Sequence, residues 1–197
     1  MNTTSNVFDG LSGRLVGFEM ARRNKAAEAE AVERLEPRPG DHVLAIGFGP
    51  GIGVALLAAR VAHGRVIGAD PSQVMIEQAA KRNRAALASG TVELHPTTAD
   101  ALPCADASID GAIAVNSVML WQPRDASFRE VARVLKPGAR LVTITHGWAL
   151  DRHFGSVDAF AAEVDALARQ CGFTDPRRAP ARAERGRAVV WEATRAS

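Results

Sequence analysis

The chain is 197 residues long, 47% hydrophobic and 23% charged, which is enough to bury one core of ordinary size and predicts a single globular unit. Its formal net charge of +2 is spread along the sequence and excludes the single-sign field that nucleic acid or a membrane surface would favour. Two cysteines, Cys104 and Cys171, are too few for a disulfide framework or a structural zinc set, so no metal site is expected.

Met1 to Asn6 lack the basic start and apolar run of a signal peptide. The longest uncharged run, Val43 to Ala59, is interrupted by glycines and a proline and is shorter than the ~20 residues of a membrane span. A cytoplasmic protein is expected, with no membrane partner. Leu11 to Leu35 reads as one or two helices stopped by Pro37-Arg38-Pro39-Gly40, giving an N-terminal helical extension over residues 1–38. The main domain is expected over 39–197. Within it, short apolar runs alternate with helical patterns: strand His42 to Ile46 and helix Ile52 to Ala62, then strand Arg65 to Ala69 and helix Ser72 to Ala88. Strands Val92 to His95 and Ile109 to Val115 follow, then helix Arg124 to Val134. Lys136-Pro137-Gly138 predicts a tight turn into a strand over Ala139 to Thr145, Val157 to Gln170 a helix, and Arg187 to Ala193 a closing strand.

Strands alternating with helices predict an α/β fold built from parallel βαβ units. Ligands of such sheets sit beyond the carboxyl ends of the strands, near the switch in strand order. The residues ending the strands here are Gly47, Asp70, Asp100, Asn116 and His146.

The first strand runs into a loop with glycine at 47, 49 and 51, where the absence of Cβ atoms lets a ligand approach the main chain. The dinucleotide pattern G-x-G-x-x-G fails in both registers, since Ile52 or Val54 falls on the third glycine, and no Gly-Lys-Ser/Thr follows for a P-loop. A tight strand-to-helix connection explains the glycines equally well. Asp70 changes that balance, because an acid at this distance downstream can accept from both hydroxyls of a ribose, although Asp70-Pro71-Ser72 would also start a helix well.

Five ordered segments, VLAIGFGPG (43–51), VIGADPS (66–72), ADALP (99–103), AIAVNSV (112–118) and VLKPGARLVTI (134–144), resemble the class I S-adenosylmethionine-dependent methyltransferases, particularly the small-molecule, type-11-like group. The resemblance implies a Rossmann-like, seven-stranded, mostly parallel sheet flanked by helices. Segments near Thr174 and Val189 would complete it, and Leu15 to Met20 would form a lid given mobility by Gly13 and Gly17. It puts the methionine part of S-adenosyl-L-methionine along Gly47, Phe48, Gly49 and Gly51, and the ribose on Asp70, with Pro71 and Ser72 opening the helix beneath. Asp100 would accept from the adenine amino group beside the backbone of Ala101, and Asn116 would line the floor near the sulfonium. The alternatives are a solvated turn at Asp100 and a strand-end cap at Asn116. S-adenosyl-L-homocysteine is the implied product.

One position departs from the family. Relatives mostly carry Asp or Glu where this chain has Ala45, an acceptor for the cofactor's ammonium group. The cofactor is expected to bind more weakly, or to meet an acid from the N-terminal helices such as Glu19. For an oxygen or nitrogen acceptor whose proton must be removed, His146 is the expected base, with His153 second and a structural role as the alternative. Met119, Leu120, Trp121, Trp148 and Phe154 would wall an apolar pocket or pack the core. Asn116-Ser117-Val118-Met119 lacks the Asn/Asp-Pro-Pro-Tyr/Phe pattern of nucleobase amine methylation, so a small-molecule substrate is expected rather than nucleic acid. The basic residues Arg177, Arg178, Arg182, Arg185 and Arg187 read as a solvated connection between the last two strands. A binding or scaffold protein that keeps the cofactor without transferring methyl remains the alternative. A short-chain oxidoreductase is excluded because the chain has no tyrosine.

Overall fold

The fold was obtained as a computed structural model, which describes residues 24–154, 156–182 and 188–197, the side chains of 151–154 and 157 excepted. A first helix, α1, covers residues 24–35. The elements that follow are β1 (His42–Ile46), α2 (Ile52–Ala58), β2 (Arg65–Ala69), α3 (Gln73–Arg82), α4 (Arg84–Ala88), β3 (Val92–His95) and β4 (Ile109–Val115). After a 3-10 turn at Val118–Leu120 come α5 (Arg124–Val134), β5 (Leu135–His146), α6 (Gly147–Phe154), α7 (Val157–Gln170), β6 (Phe173–Pro180) and β7 (Ala188–Arg195).

The seven strands form one sheet in the order β3-β2-β1-β4-β5-β7-β6. The first five are parallel, and β7 runs against both of its neighbours. The parallel strands are buried on both faces, which is why β1, β2 and β4 read as nearly unbroken apolar runs. Strand order reverses between β1 and β4, so the crevice beyond their carboxyl ends is the ligand site this architecture favours.

Two cores sandwich the sheet. On one face Phe128 and Val131 of α5 and Phe160 and Val164 of α7 cover Leu44, Ala112 and Leu141. On the other, Ala27, Ala31, Val32 and Leu35 of α1 join Val54 and Leu57 of α2 over Val43, Ala45 and Ile113. Gly111 of β4 has no Cβ because Leu35 packs on it; a methyl there would lie 2.7 Å from Leu35 Cδ1.

The structure differs from the sequence reading in several elements. The helix expected over Ser72 to Ala88 is broken at Asn83, whose carboxamide turns inward to donate to the carbonyls of Gly51 and Ala79 at 3.1 and 2.9 Å. Helix α2 stops at Ala58. Lys136-Pro137-Gly138 lies within β5, as a bulge in its pairing with β4, rather than forming a turn before it. Helix α6 was not anticipated. Arg177 and Arg178 sit in β6, not in a connection, whereas Arg185 and Arg187 lie outside the described residues. Among the described residues, no helix is long and apolar enough to cross a membrane.

Candidate active site

The site is built at the carboxyl edge of the sheet, where β1, β2, β3, β4 and β5 end side by side. The glycines of the first loop have two different reasons. Gly47, at φ 62°, lies so close to the loop after β4 that a Cβ would fall 2.3 Å from Ser117 Cβ. Gly51, at φ 80°, is the residue before α2, and a Cβ there would strike Ala79 Cβ at 2.6 Å. Both residues are bare so that protein, rather than ligand, can approach. Phe48 turns its ring down onto Gly68 of β2 and is buried, so only its backbone can face a ligand.

Asp70 ends β2 and ties the loop to the next helix. Its Oδ2 accepts from the Gly49 amide at 2.8 Å and its Oδ1 from the Ser72 amide at 2.9 Å. Ser72 in turn caps α3, its Oγ accepting from Met75 N at 3.4 Å, as Asp70-Pro71-Ser72 predicts. Each carboxylate oxygen has two lone pairs, so these amides leave capacity for further donors. Burial raises the Asp70 carboxyl above its usual range against the two amide bonds that lower it.

Asp100 lies in the loop after β3. Its Oδ1 is buried and has no hydrogen-bond partner, an orphaned acceptor at the position the resemblance gives to the adenine amino group. The Ala101 amide beside it donates within its own turn, to Thr98 O at 3.2 Å.

The ends of β4 and β5 are joined by one polar cluster. Asn116 adopts φ 51°, which asparagine tolerates better than most residues. Its Oδ1 accepts from the His146 amide at 2.9 Å, its carboxamide lies 2.8–3.0 Å from His146 Nδ1, and its Nδ2 donates to Asn24 Oδ1 at 3.1 Å. His146 is the last residue of β5, buried, with the Trp148 ring 6.1 Å away. Trp148, 60% exposed, and Leu120 are the large apolar side chains left open among the described residues. Trp121, by contrast, is core, packed edge-on against Phe128, and Met119 is buried too. Glu19, Gly13, Gly17 and Leu15 to Met20 lie outside the described residues, as do the side chains of His153 and Phe154. No cluster of potential metal ligands occurs among the described residues.

Two buried polar residues of α1 carry no motif: Asn24, which bonds Asn116, and Glu28, which lies against Gly53 of α2. Asn24 and Glu28 stand one helical turn apart and are both buried. Only the helical spacing in the Asn24-to-Leu35 segment hints at them, since Asn24, Glu28, Ala31 and Leu35 share one face.

A family profile described as "Methyltransferase domain" matches residues 43–138. An O-methyltransferase of Pyrenophora dematioidea is 38% identical over 113 residues, 57% of this chain and 42% of its own length. The O-methyltransferase resE of Aspergillus sclerotiorum is 34% identical over 171 residues, 79% of this chain and 62% of its own length. The chain thus spans about half the length of these curated relatives. In fold it is similar to phosphoethanolamine N-methyltransferase 2 of Haemonchus contortus, solved in complex with S-adenosyl-L-methionine. The TM-score is 0.79 at 14% identity, covering 100% of this chain and 61% of that one. Residues 43–138 thus match a methyltransferase domain, and the sheet order and the glycine loop tied to Asp70 agree with the fold of the S-adenosylmethionine-dependent methyltransferases that the chain is similar to.

Proposed function

We propose that this protein transfers a methyl group from S-adenosyl-L-methionine to an oxygen atom of a small organic molecule. The observation that carries the cofactor part is the orphaned Asp100 Oδ1, because a buried acceptor without a donor costs about 1–3 kcal/mol and persists where a ligand supplies the donor. Asp70 supports the same reading from the neighbouring strand, with lone pairs left for ribose hydroxyls after holding the loop. The oxygen acceptor is favoured by the relatives named O-methyltransferases.

When bound, S-adenosyl-L-methionine supplies a methyl group on a positively charged sulfur, leaving S-adenosyl-L-homocysteine. The residues of this chain have three tasks. The backbone of Gly47 to Gly51 lies along the amino-acid part of the ligand, while Asp70 and Asp100 fix the nucleoside. Trp148 and Leu120 offer apolar surface to an acceptor beside His146. His146, oriented by Asn116 through its backbone amide and ring, takes the acceptor's hydroxyl proton, and Asn116 is itself held by Asn24. General bases contribute about 10²–10⁴-fold. His146→Ala is therefore expected to lower turnover at least about a hundredfold while leaving cofactor affinity within a few-fold; loss of less than about tenfold would remove His146 from the proton transfer.

The overall assignment is tested by incubating the protein with S-adenosyl-L-methionine and a panel of phenols and hydroxy acids, following S-adenosyl-L-homocysteine by mass spectrometry. Acceptor-dependent product formation is expected. Tight cofactor binding with no turnover on any acceptor would instead favour a binding protein.

A further inference from the structure

Helix α1 runs along β4, and its buried side chains can be matched to the strand at three points. Leu35 packs on Gly111, Glu28 and the Cδ1 of Ile113 both lie against Gly53, and Asn24 bonds Asn116. The spans agree: eleven residues of helix rise about 16 Å, and five residues of strand also extend about 16 Å. The amino-terminal end of α1 therefore reaches the carboxyl edge of the sheet, and Glu28 stands one turn below the Asn24–Asn116 contact.

At that level Ala45 of β1 is paired in register with Ile113, and its methyl group belongs to the same core as α1 and α2. Glu28 and the Ile113 side chain both lie against Gly53 of α2. A Cβ on Gly53 would lie 2.2 Å from Glu28 Oε2 and 3.1 Å from Ile113 Cδ1, so Gly53 is bare to admit this carboxylate at the foot of the glycine loop. Glu28 is 7% exposed, and burial alone acts on its carboxyl, with no hydrogen bond or charge from the described residues. Its neighbour Glu30 differs, with Arg34 and Arg182 as partners. A buried acid without a cation is costly, and the described residues offer Glu28 none.

We propose that Glu28 accepts the ammonium group of the cofactor's amino-acid end, supplying from α1 the negative charge that Ala45 does not provide from β1. This rests on the reading of the glycine loop as the place where that end of S-adenosyl-L-methionine lies. Consistent with it, burial lifts the Glu28 carboxyl from 4.5 to about 8, with no charged group among the described residues contributing. Gly53 and Ile113, which lie at the same point, are not titratable, and Asn24 one turn away is neutral. Near neutral pH the free protein holds Glu28 largely protonated, and the arriving ammonium draws the carboxylate form, so binding releases a proton.

The test is a calorimetric titration of wild type and Glu28→Gln with two ligands. S-adenosyl-L-homocysteine carries the ammonium, and 5′-methylthioadenosine lacks it. Glu28→Gln is expected to weaken S-adenosyl-L-homocysteine by about ten- to a hundredfold and to leave 5′-methylthioadenosine unchanged. Wild-type affinity for S-adenosyl-L-homocysteine is expected to rise between pH 6 and 7.5 more steeply than that of the variant. Unchanged S-adenosyl-L-homocysteine affinity in Glu28→Gln overturns the proposal, as does equal weakening of both ligands, which would indicate general damage. Failure of the wild type to bind either nucleoside would overturn the cofactor reading beneath it. Gln keeps the shape of Glu without its charge, and an undiminished Tm of the variant verifies the fold.

Discussion

Asp70→Ala is expected to abolish useful cofactor affinity, by at least about a hundredfold, while changing stability by no more than about 2 kcal/mol. The affinity falls for two reasons. A carboxylate bonded to a donor contributes about 1.5–3 kcal/mol per bond, and the ribose offers two donors. Asp70 also holds the Gly49 amide at 2.8 Å, so its removal frees the loop on which the proposed cofactor reading depends. Stability suffers less because two effects oppose. The Gly49 and Ser72 amides lose their acceptor, but a buried carboxylate whose pKa is raised by burial is lost as well. A carboxyl with a raised folded-state pKa contributes stability below its unfolded value, and that contribution fades as pH rises through the folded value. The melting gap between wild type and Asp70→Ala should therefore be wider near pH 4 than at pH 7. Titration with S-adenosyl-L-homocysteine alongside thermal melting at the two pH values checks both parts. A loss of affinity below about fivefold, or a gap that widens with rising pH, would contradict them.

Gly47→Ala is expected to have the largest effect on the fold itself. At φ 62° an alanine sits in the left-handed region at a cost of about 1–2 kcal/mol. Its methyl would also fall 2.3 Å from Ser117 Cβ. Ser117 cannot simply withdraw, because its Oγ donates to the carbonyl of Ile46 at 2.9 Å and is buried there. Overpacking of this kind adds about 1–3 kcal/mol, and for a chain of this size the sum corresponds to a drop in Tm of roughly 5–15 °C. The double variant Gly47→Ala with Ser117→Gly should recover the part due to the clash but not the part due to φ. If Gly47→Ala melts within about 2 °C of wild type, the close approach of the two loops is not present in solution.

The sheet was legible in the sequence because its central strands are buried on both faces. The runs His42–Ile46, Arg65–Ala69, Val92–His95 and Ile109–Val115 were bounded correctly by their turn residues. The outer strand β6 was harder, since an edge strand tolerates Pro176 and Pro180 and exposes Arg177 and Arg178, leaving little alternation to read. The bulge at Pro137-Gly138 and the inward turn of Asn83 depend on partners distant in sequence, and neither has a local signature. Asp70 and Asp100 could be found because they end a strand or follow one. Asn24 and Glu28 could not. In Ala26-Ala27-Glu28-Ala29-Glu30-Ala31 the two glutamates are equivalent as sequence, and only the docking of α1 along β4 sends Glu28 to Gly53 of α2 and Glu30 to Arg34. The resemblance implied an acid where Ala45 stands, and nothing in the sequence indicated which side chain lies nearby.

A crystal structure of the protein with S-adenosyl-L-homocysteine tests the central claim most directly. The adenine amino group should lie within hydrogen-bond distance of Asp100 Oδ1, and the ribose hydroxyls should share the Asp70 carboxylate with the Gly49 and Ser72 amides. Adenosine bound elsewhere, with Asp100 Oδ1 still without a donor, would contradict the account.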